Sequence, residues 1–222
     1  MMTRGPHEAE SPTVTSPGST ADNAILDELT HVGTRPRLLF LLGESRSTDT
    51  EDVTQRIQAE AENVISGGSF SPAWERTLRP LGTWSYALHH RVRDLYLIGD
   101  AAAATGLRYV SAMSIGKASQ CDSAMVKQAI ERAEPELIVC AGCEAVYWPL
   151  LGRLELGHDL LTTVYGEPVY YSTLQWGERR SVLLHFWHPS QGYFTKGGHH
   201  YLFKLFMHAY DALCRKRLLT CS

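Results

Sequence analysis

Four short runs of apolar residues recur along the chain, and they restrict its fold more than any other feature. They are residues 37–44, 107–114, 136–142 and 181–187, with the sequences RLLFLLGE, LRYVSAMS, ELIVCAG and SVLLHFW. Apolar runs of this length, without regular polar alternation, are typical of strands buried on both faces of a parallel sheet. Such a sheet needs helices on both faces, so the runs predict an α/β protein.

Helical patterns lie between these runs. In residues 50–68 the apolar side chains recur at helical spacing, with Thr50 or Asp52 as the N-cap and two glycines as the stop. Residues 160–175 predict a hairpin at the edge of the sheet. Further helical segments are predicted at 84–97, 123–134, 144–151 and 199–218. The alternation of strands and helices predicts a three-layer α/β/α sandwich around a central, mostly parallel four-stranded sheet.

The first 33 residues differ in composition from the rest. They are rich in Ser, Thr, Pro and Gly and have few large apolar side chains, so burial cannot offset the entropy lost on ordering. We expect a flexible tail at 1–33 followed by a single domain over 34–222, which suits the length of 222 residues. Neither a secretion signal nor an apolar run of about 18 residues is evident, so no membrane span is expected.

The charge of the chain is unevenly divided. The formal net charge of -3 excludes a protein that coats nucleic acid or an anionic membrane by bulk charge. Residues 1–176 hold 14 Lys and Arg against 22 Asp and Glu, whereas residues 177–222 hold 7 against 2 and five of the histidines. The last fifth is therefore a basic segment, and we expect its charge to lie near the functional loop that it contains.

The cysteines indicate a reducing compartment. Five cysteines are an odd number in a chain too long to be a disulfide scaffold, so a cytoplasmic protein is expected. Cys140 and Cys143 form a CxxC pair at the end of an apolar run, but there is no second pair to complete a four-thiolate zinc site. Buried core thiols are the preferred interpretation, and no metal is predicted.

Polar residues follow the apolar runs. In α/β sheets, ligands bind at the carboxyl ends of the parallel strands, so we expect these residues to meet at one edge. The segments are 43–49, 111–117, 142–144 and 188–191.

The order of these segments resembles that of the uracil-DNA glycosylase superfamily. Its members have a four-stranded parallel sheet in an α/β/α sandwich. A Gly-Gln-Asp-Pro-Tyr-His or Gly-Glu-Ala-Pro-Gly motif follows the opening strand, and a His-Pro-Ser motif follows the last. Here GESR at 43–46 and HPS at 188–190 stand at those places, while RYVSAMSIGK and PELIVCAGCEA resemble the segments between them. The likeness covers about residues 36–215 by motif order.

The resemblance implies a monofunctional DNA glycosylase. Such an enzyme flips a pyrimidine out of the helix and hydrolyses its N-glycosidic bond with water, leaving an abasic site. His188 would stabilise the negative charge on the departing base, or else only fasten a turn. Asp49, or Glu44 as the second choice, would orient the attacking water, because a carboxylate also stabilises the cationic sugar. DNA is the expected partner, and no cofactor is required.

Other matching residues would contact DNA or the flipped base. Phe70 resembles the aromatic residue on which the base stacks, with Trp74 as a substitute. Pro189 and Ser190 would hold the DNA backbone, and Tyr193 or Phe194 would fill the space left by the flipped nucleotide. Further contacts are expected from Ser45, Arg46, Ser47, Ser111, Lys117, Gln191 and Lys196. Core packing, turn formation and a solvated surface are the alternative roles of these residues.

Two departures from the family pattern concern the base. The proline of the first motif is replaced by Ser45-Arg46-Ser47, and the Asn expected near Ser111 or Ala112 is missing. That Asn reads the uracil edge in several branches, so its loss favours a modified pyrimidine over plain uracil. The base would be a damaged one in DNA repair, or a hypermodified one of phage DNA in antiviral defence. The cysteines needed by the iron-sulfur branches are also lacking.

Two other functions fit parts of the sequence. GESRS resembles the nucleophile block of SGNH-type esterases, in which Ser45 would attack an ester and His188 would take its proton. However, His185 stands where that family has the triad Asp, and the oxyanion-hole Asn is not in place after Gly142. A glycosylase-like module that binds DNA or a partner without cutting is the third possibility, and the altered motifs would be its signature.

Overall fold

The computed structural model describes residues 35–43, 51–115, 123–142, 159–164, 166–176, 178–193 and 198–219. All of these belong to one compact unit. The tail predicted at 1–33 and the helical turn predicted at 144–151 lie outside the described residues.

The described strands form a single mixed sheet. They are β1 (Leu38–Gly43), β2 (Glu51–Asp52), β3 (Val110–Ile115), β4 (Leu137–Ala141), β5 (Asp159–Val164), β6 (Glu167–Trp176) and β7 (Arg179–Phe186). Their order across the sheet is β2-β3-β1-β4-β7-β6-β5. Neighbours within β3-β1-β4-β7 pair in parallel, whereas β2, β5 and β6 pair antiparallel with their neighbours.

The α/β class is therefore confirmed, but the sheet is larger than predicted. It has seven strands instead of four, because the hairpin β5-β6 extends it beyond β7 and the short strand β2 adds to β3. The hairpin itself was predicted, together with its place at the edge of the sheet, and both are confirmed.

Burial on both faces explains the continuous apolar runs. Along β1, the side chains of Leu38, Phe40 and Leu42 enter one hydrophobic core, and those of Leu39 and Leu41 enter a second core on the other face. Because successive strand residues point to opposite faces, a strand covered on both sides has no polar positions in its middle.

Five described helices cover the sheet. They are α1 (Thr54–Ile65), α2 (Glu75–His90), α3 (Asp100–Leu107), α4 (Ser123–Ala133) and α5 (Gly198–Arg215). The larger core contains residues of α1, α2, α3 and α5, and the smaller core contains those of α4. Single turns of 3-10 helix are found at Leu95–Leu97 and Pro189–Tyr193. No described helix is both long and apolar enough to span a membrane.

The helix predicted over 84–97 is wrong in its bounds. Helix α2 begins nine residues earlier and contains Pro80, and it ends where Arg91 adopts a left-handed conformation with φ 56°. The separate helix α3 was not predicted. Gly82 allows the two helices to cross closely, because a Cβ there would collide with the carbonyl oxygen of Ala103. The glycine that disrupts the helical pattern in sequence is thus a packing contact in the fold.

Helix α1 was predicted correctly, but its cap was not. Asp52 belongs to strand β2 instead of capping the helix, and the residue before the helix is Val53, whose side chain makes no capping hydrogen bond. The alternative cap, Thr50, lies outside the described residues.

The cysteines follow the expected pattern only in part. Cys140 is a cysteine buried in the smaller core, as predicted. Cys214 is disulfide-bonded. The expectation that the cysteines are reduced thiols is therefore wrong for Cys214.

Candidate functional site

His188 lies at the carboxyl end of β7, two residues beyond the last residue of the strand. The neighbouring parallel strand β4 ends beside it, where the backbone N–H of Gly142 donates to the carbonyl oxygen of Phe186 at 3.0 Å. Gly142 has φ +68°, and a Cβ built on it would lie 2.9 Å from the Cβ of His188. This close approach requires glycine and places His188 directly against the end of β4.

The turn after His188 fixes the tautomer of its imidazole ring. The backbone N–H of Ser190 donates to Nδ1 at 3.2 Å, and the hydroxyl of Ser190 lies 2.7 Å from the same nitrogen. The backbone N–H of Gln191 donates to the carbonyl oxygen of His188 at 2.9 Å and closes the turn. Since an amide N–H can only donate, Nδ1 is the acceptor, and the neutral ring carries its proton on Nε2.

This tautomer determines what the ring can do. An Nε2–H group can donate a hydrogen bond to an oxygen that becomes negatively charged during a reaction. The same nitrogen cannot take a proton from an attacking hydroxyl unless the tautomer changes, and a triad histidine instead holds its proton on Nδ1. The geometry therefore favours an anion-stabilising role for His188 over that of a general base.

Ser190 and Pro189 both contribute to the structure of the turn. The Ser190 hydroxyl is directed at His188, so within this structure it positions the ring, and Pro189 is buried at the start of the 3-10 turn. The DNA-backbone contacts expected of both residues stay predictions. Gln191 is exposed beside them, and the side chain of Tyr193 lies outside the described residues.

His199, at the start of α5, supports the same turn. A Cβ on Gly192 would lie 2.5 Å from Nδ1 of His199, so the ring packs against the glycine backbone of the turn. Burial lowers the pKa of His199, and the positive charge of Arg79 lowers it further. His199 is therefore neutral near pH 7, and the expectation that this histidine adds positive charge beside the loop is wrong.

Ser111 does not reach the carboxyl end of its strand. It is the second residue of β3, pairs with Leu39 and is buried. The strand continues to Ile115, which places Ser114 near its end instead, beside Leu42 of β1. Ser114 is 2% exposed, and its Oγ makes no hydrogen bond among the described residues. Ser114 belongs to the segment 111–117 that was expected at this edge, but Ser111 was chosen from it as the site residue, and Ser111 lies too early in the strand.

The proposed stacking residue Phe70 lies in the larger hydrophobic core and is only 6% exposed. Core packing, the alternative given for this residue, is what the structure shows. Its substitute Trp74 is half-buried, and the guanidinium carbon of Arg56 lies 5.4 Å from the centre of its ring. Base stacking on either ring stays a prediction.

Most of the other candidates lie outside the described residues. They include both candidate catalytic carboxylates and most of the expected phosphate contacts: Glu44, Ser45, Arg46, Ser47, Asp49, Lys117 and Lys196. The structure thus brings together His188, Pro189, Ser190 and Gln191 with Gly142, and it leaves the other half of the site as a prediction.

Most of the described cations of the basic segment lie far from His188. Arg179 and Arg180 begin β7, six to seven residues and about 20–23 Å from the last residue of the strand, Phe186. Lys204 is nearer the site, but Arg215 ends the 18-residue helix α5, about 26 Å from its start, and the cations at 216 and 217 follow it. Five of the seven cations are therefore far from the loop, because strand and helix both lead away from it.

A network of ion pairs lies at the amino ends of the parallel strands, opposite the end of the sheet that carries His188. Glu134 pairs with Arg37 and Arg179, and Glu136 pairs with Arg35. Arg37, Arg179 and the two glutamates line part of a cavity of about 450 Å³. Since the carboxylates and guanidinium groups already pair with each other, the network fastens the start of β1 to the starts of β4 and β7.

Among the described residues, no group of three or more His, Cys, Asp or Glu side chains is arranged to hold a metal ion. Family models, curated proteins and solved structures show no significant match to this chain.

Proposed function

We propose that this protein is a monofunctional DNA glycosylase related to the uracil-DNA glycosylase superfamily. The observation that carries the proposal is the ring of His188, whose Nδ1 accepts from the backbone N–H of Ser190 and whose Nε2 therefore carries the proton. A neutral imidazole with this tautomer, at the ligand-binding edge of a parallel sheet, suits the stabilisation of a departing base anion.

In the proposed reaction, the bond between the sugar C1′ and the pyrimidine N1 breaks and both electrons stay with the base. The Nε2–H of His188 donates to the carbonyl oxygen that shares the resulting negative charge. Water attacks the cationic C1′ and loses its proton to Asp49, or to Glu44 as the second choice. The products are an abasic site and the free base, which takes a proton from solvent. No cofactor is needed.

The remaining assignments come from the resemblance. The parallel strands β3-β1-β4-β7 would form the core of the family's three-layer α/β/α sandwich. Arg46, Lys117 and Lys196 would contact the DNA backbone, and Tyr193 would fill the gap left by the flipped nucleotide. DNA is the proposed partner in a cytoplasmic setting. The missing Asn favours a modified pyrimidine, from a damaged base in repair to a hypermodified base of phage DNA.

The esterase interpretation is less well supported. It needs Nε2 of His188 to accept the proton of Ser45 and Nδ1 to donate to a carboxylate. Nδ1 instead accepts from Ser190. His185, which stands in place of the triad Asp, is 3.2 Å from the hydroxyl of Ser172.

Base release from defined DNA tests the proposal. Oligonucleotides that contain uracil, deaminated bases or virus-modified pyrimidines are incubated with the protein, and alkali then breaks the strand at abasic sites. Mass analysis of the released base identifies the substrate. We expect His188→Ala and Asp49→Ala each to reduce release at least a hundredfold, whereas His208→Ala, an exposed histidine elsewhere on α5, retains the wild-type rate.

Two results would overturn the proposal. No released base from any of these DNAs would leave a module that binds without cutting. Ester hydrolysis abolished by Ser45→Ala would show that His188 serves an esterase. Unchanged base release in both His188→Ala and Asp49→Ala would refute the assigned site even if the protein is a glycosylase.

A further inference from the structure

A cavity of about 390 Å³ lies beside the turn that carries His188. Its lining includes Gly142, Pro168, Tyr170, His185, Trp187 and Gln191. It is formed where the carboxyl ends of β4 and β7 meet the start of β6, since Tyr170 pairs with His185 across the two antiparallel strands. None of the roles derived above uses this cavity.

The cavity shares its wall with the candidate site. Gly142 packs against the Cβ of His188, Trp187 precedes His188 in the chain, and the backbone N–H of Gln191 donates to the His188 carbonyl oxygen. The cavity therefore adjoins the turn that carries His188.

The described lining favours a flat ligand with hydrogen-bonding edges. Its described residues include aromatic rings and an amide, and none of them is Lys, Arg, Asp or Glu. Tyr170 is 41% exposed and Trp187 is half-buried, so both can offer ring surface, and Gln191 is an exposed amide. Aromatic rings stack on bases of any sequence, and amides bond to their edges.

Two features keep this wall in place. Nε2 of His185 lies 3.2 Å from the hydroxyl of Ser172, so a neighbouring side chain of β6 holds that ring. Tyr170 is fixed by strand pairing with His185 on one side and with Leu160 on the other. Leu160 is itself exposed and extends the apolar surface beyond Tyr170.

We propose that this cavity binds a second nucleobase of the same strand, next to the base that is excised, and that single-stranded DNA is therefore the preferred substrate. The inference rests on the proposed glycosylase function. Removing two neighbouring bases from a duplex breaks two base pairs, whereas a single strand loses only stacking. A site that holds two adjacent unstacked bases thus favours unpaired DNA.

Two measurements test the inference. Fluorescence anisotropy measures the affinity for a labelled oligothymidylate without an excisable base, so it is independent of catalysis. Single-turnover kinetics measure release of the same base from single-stranded and duplex DNA. We expect tighter binding and faster release with the single strand.

Variants locate the effect in the cavity. Tyr170→Ala removes the ring on which one base would stack. We expect this variant to bind the single strand about tenfold more weakly. Tyr170→Phe keeps the ring and should retain the wild-type affinity, which separates stacking from a folding defect. Tyr96→Ala is the matched control, because Tyr96 is 83% exposed and does not line the cavity.

Unchanged affinity in Tyr170→Ala, or equal losses on single-stranded and duplex DNA, would overturn the inference. A loss confined to DNA with an enlarged base, regardless of strandedness, would also overturn it and assign the cavity to the base substituent. Absence of base release from both forms of DNA would instead refute the proposed function. The anisotropy measurements would still show whether the cavity binds a base.

Discussion

Replacement of Gly142 by Ala is expected to separate the end of β4 from His188. Gly142 has φ +68°, and a left-handed conformation costs an alanine about 1–2 kcal/mol. The new Cβ would lie 2.9 Å from the Cβ of His188, whereas carbon atoms normally approach to about 3.5–4.0 Å. Relieving such overpacking costs about 1–3 kcal/mol. We therefore expect the free energy of unfolding to fall by about 2–5 kcal/mol.

Gly166 provides a matched control for the backbone strain. It has φ +87° in the hairpin turn, and a Cβ built there meets nothing within 4 Å. Gly166→Ala should therefore cost only about 1–2 kcal/mol, so the difference between the variants measures the contact with His188. Urea denaturation at constant m gives both values from the transition midpoints. Nitrogen chemical shifts of labelled histidine report whether the His188 proton has stayed on Nε2.

Equal destabilisation by Gly142→Ala and Gly166→Ala would refute this reasoning, because it would leave no cost for the contact. A wild-type spectrum with the His188 proton on Nδ1 would refute the assigned tautomer, and the anion-stabilising role would lose its basis. A larger loss in Gly142→Ala, together with slower base release, is the expected result.

Three further predictions concern the surroundings of the site. Ser190→Ala removes the hydroxyl that lies 2.7 Å from Nδ1 of His188. Base release should slow by about fivefold, because a net hydrogen bond contributes about 1 kcal/mol. Ser190→Thr should restore the rate in single-turnover assays. Burial lowers the pKa of His199, so its unfolded state binds more protons and stability falls as pH drops below about 6.5. Urea midpoints at pH 7 and pH 5 should differ less in His199→Gln than in wild type, and an identical difference would exclude this contribution. Gly82→Ala should lower the thermal midpoint, because its Cβ would clash with the carbonyl oxygen of Ala103. Helix propensity alone would stabilise the variant by about 1 kcal/mol. A raised midpoint would therefore contradict the close crossing of the two helices.

The strands were predictable because their pattern is imposed by local burial. Leu38 to Leu42 alternate between two cores, and a strand covered on both faces leaves a continuous apolar run in the sequence. Ser111 and Ser114 show where this signal fails. Both serines lie in the segment that was expected at the edge of the sheet, yet both are buried within β3, so a polar residue in such a run does not by itself mark the end of a strand.

Distances between parts of the chain could not be predicted in the same way. Most cations of residues 177–222 are close in sequence to His188, yet β7 and α5 lead away from it by about 20–26 Å. His199 looks like a positive charge in sequence, but burial and Arg79 favour its neutral form. Such effects depend on long-range packing, which no local pattern records.

The tautomer of His188 and the cavity beside it have different structural origins. The proton position on His188 is set within three residues, by the backbone N–H of Ser190, and so belongs to the turn itself. An esterase would need the opposite tautomer, so this short turn discriminates between two chemistries that the sequence left open. The adjoining cavity is formed by β4, β6 and β7, from residues as far apart as Gly142 and Gln191. Under the proposed function, the turn sets the chemistry and the sheet shapes the adjoining cavity, so changes in hairpin β5-β6 are expected to alter the preference among DNA substrates without altering how His188 acts.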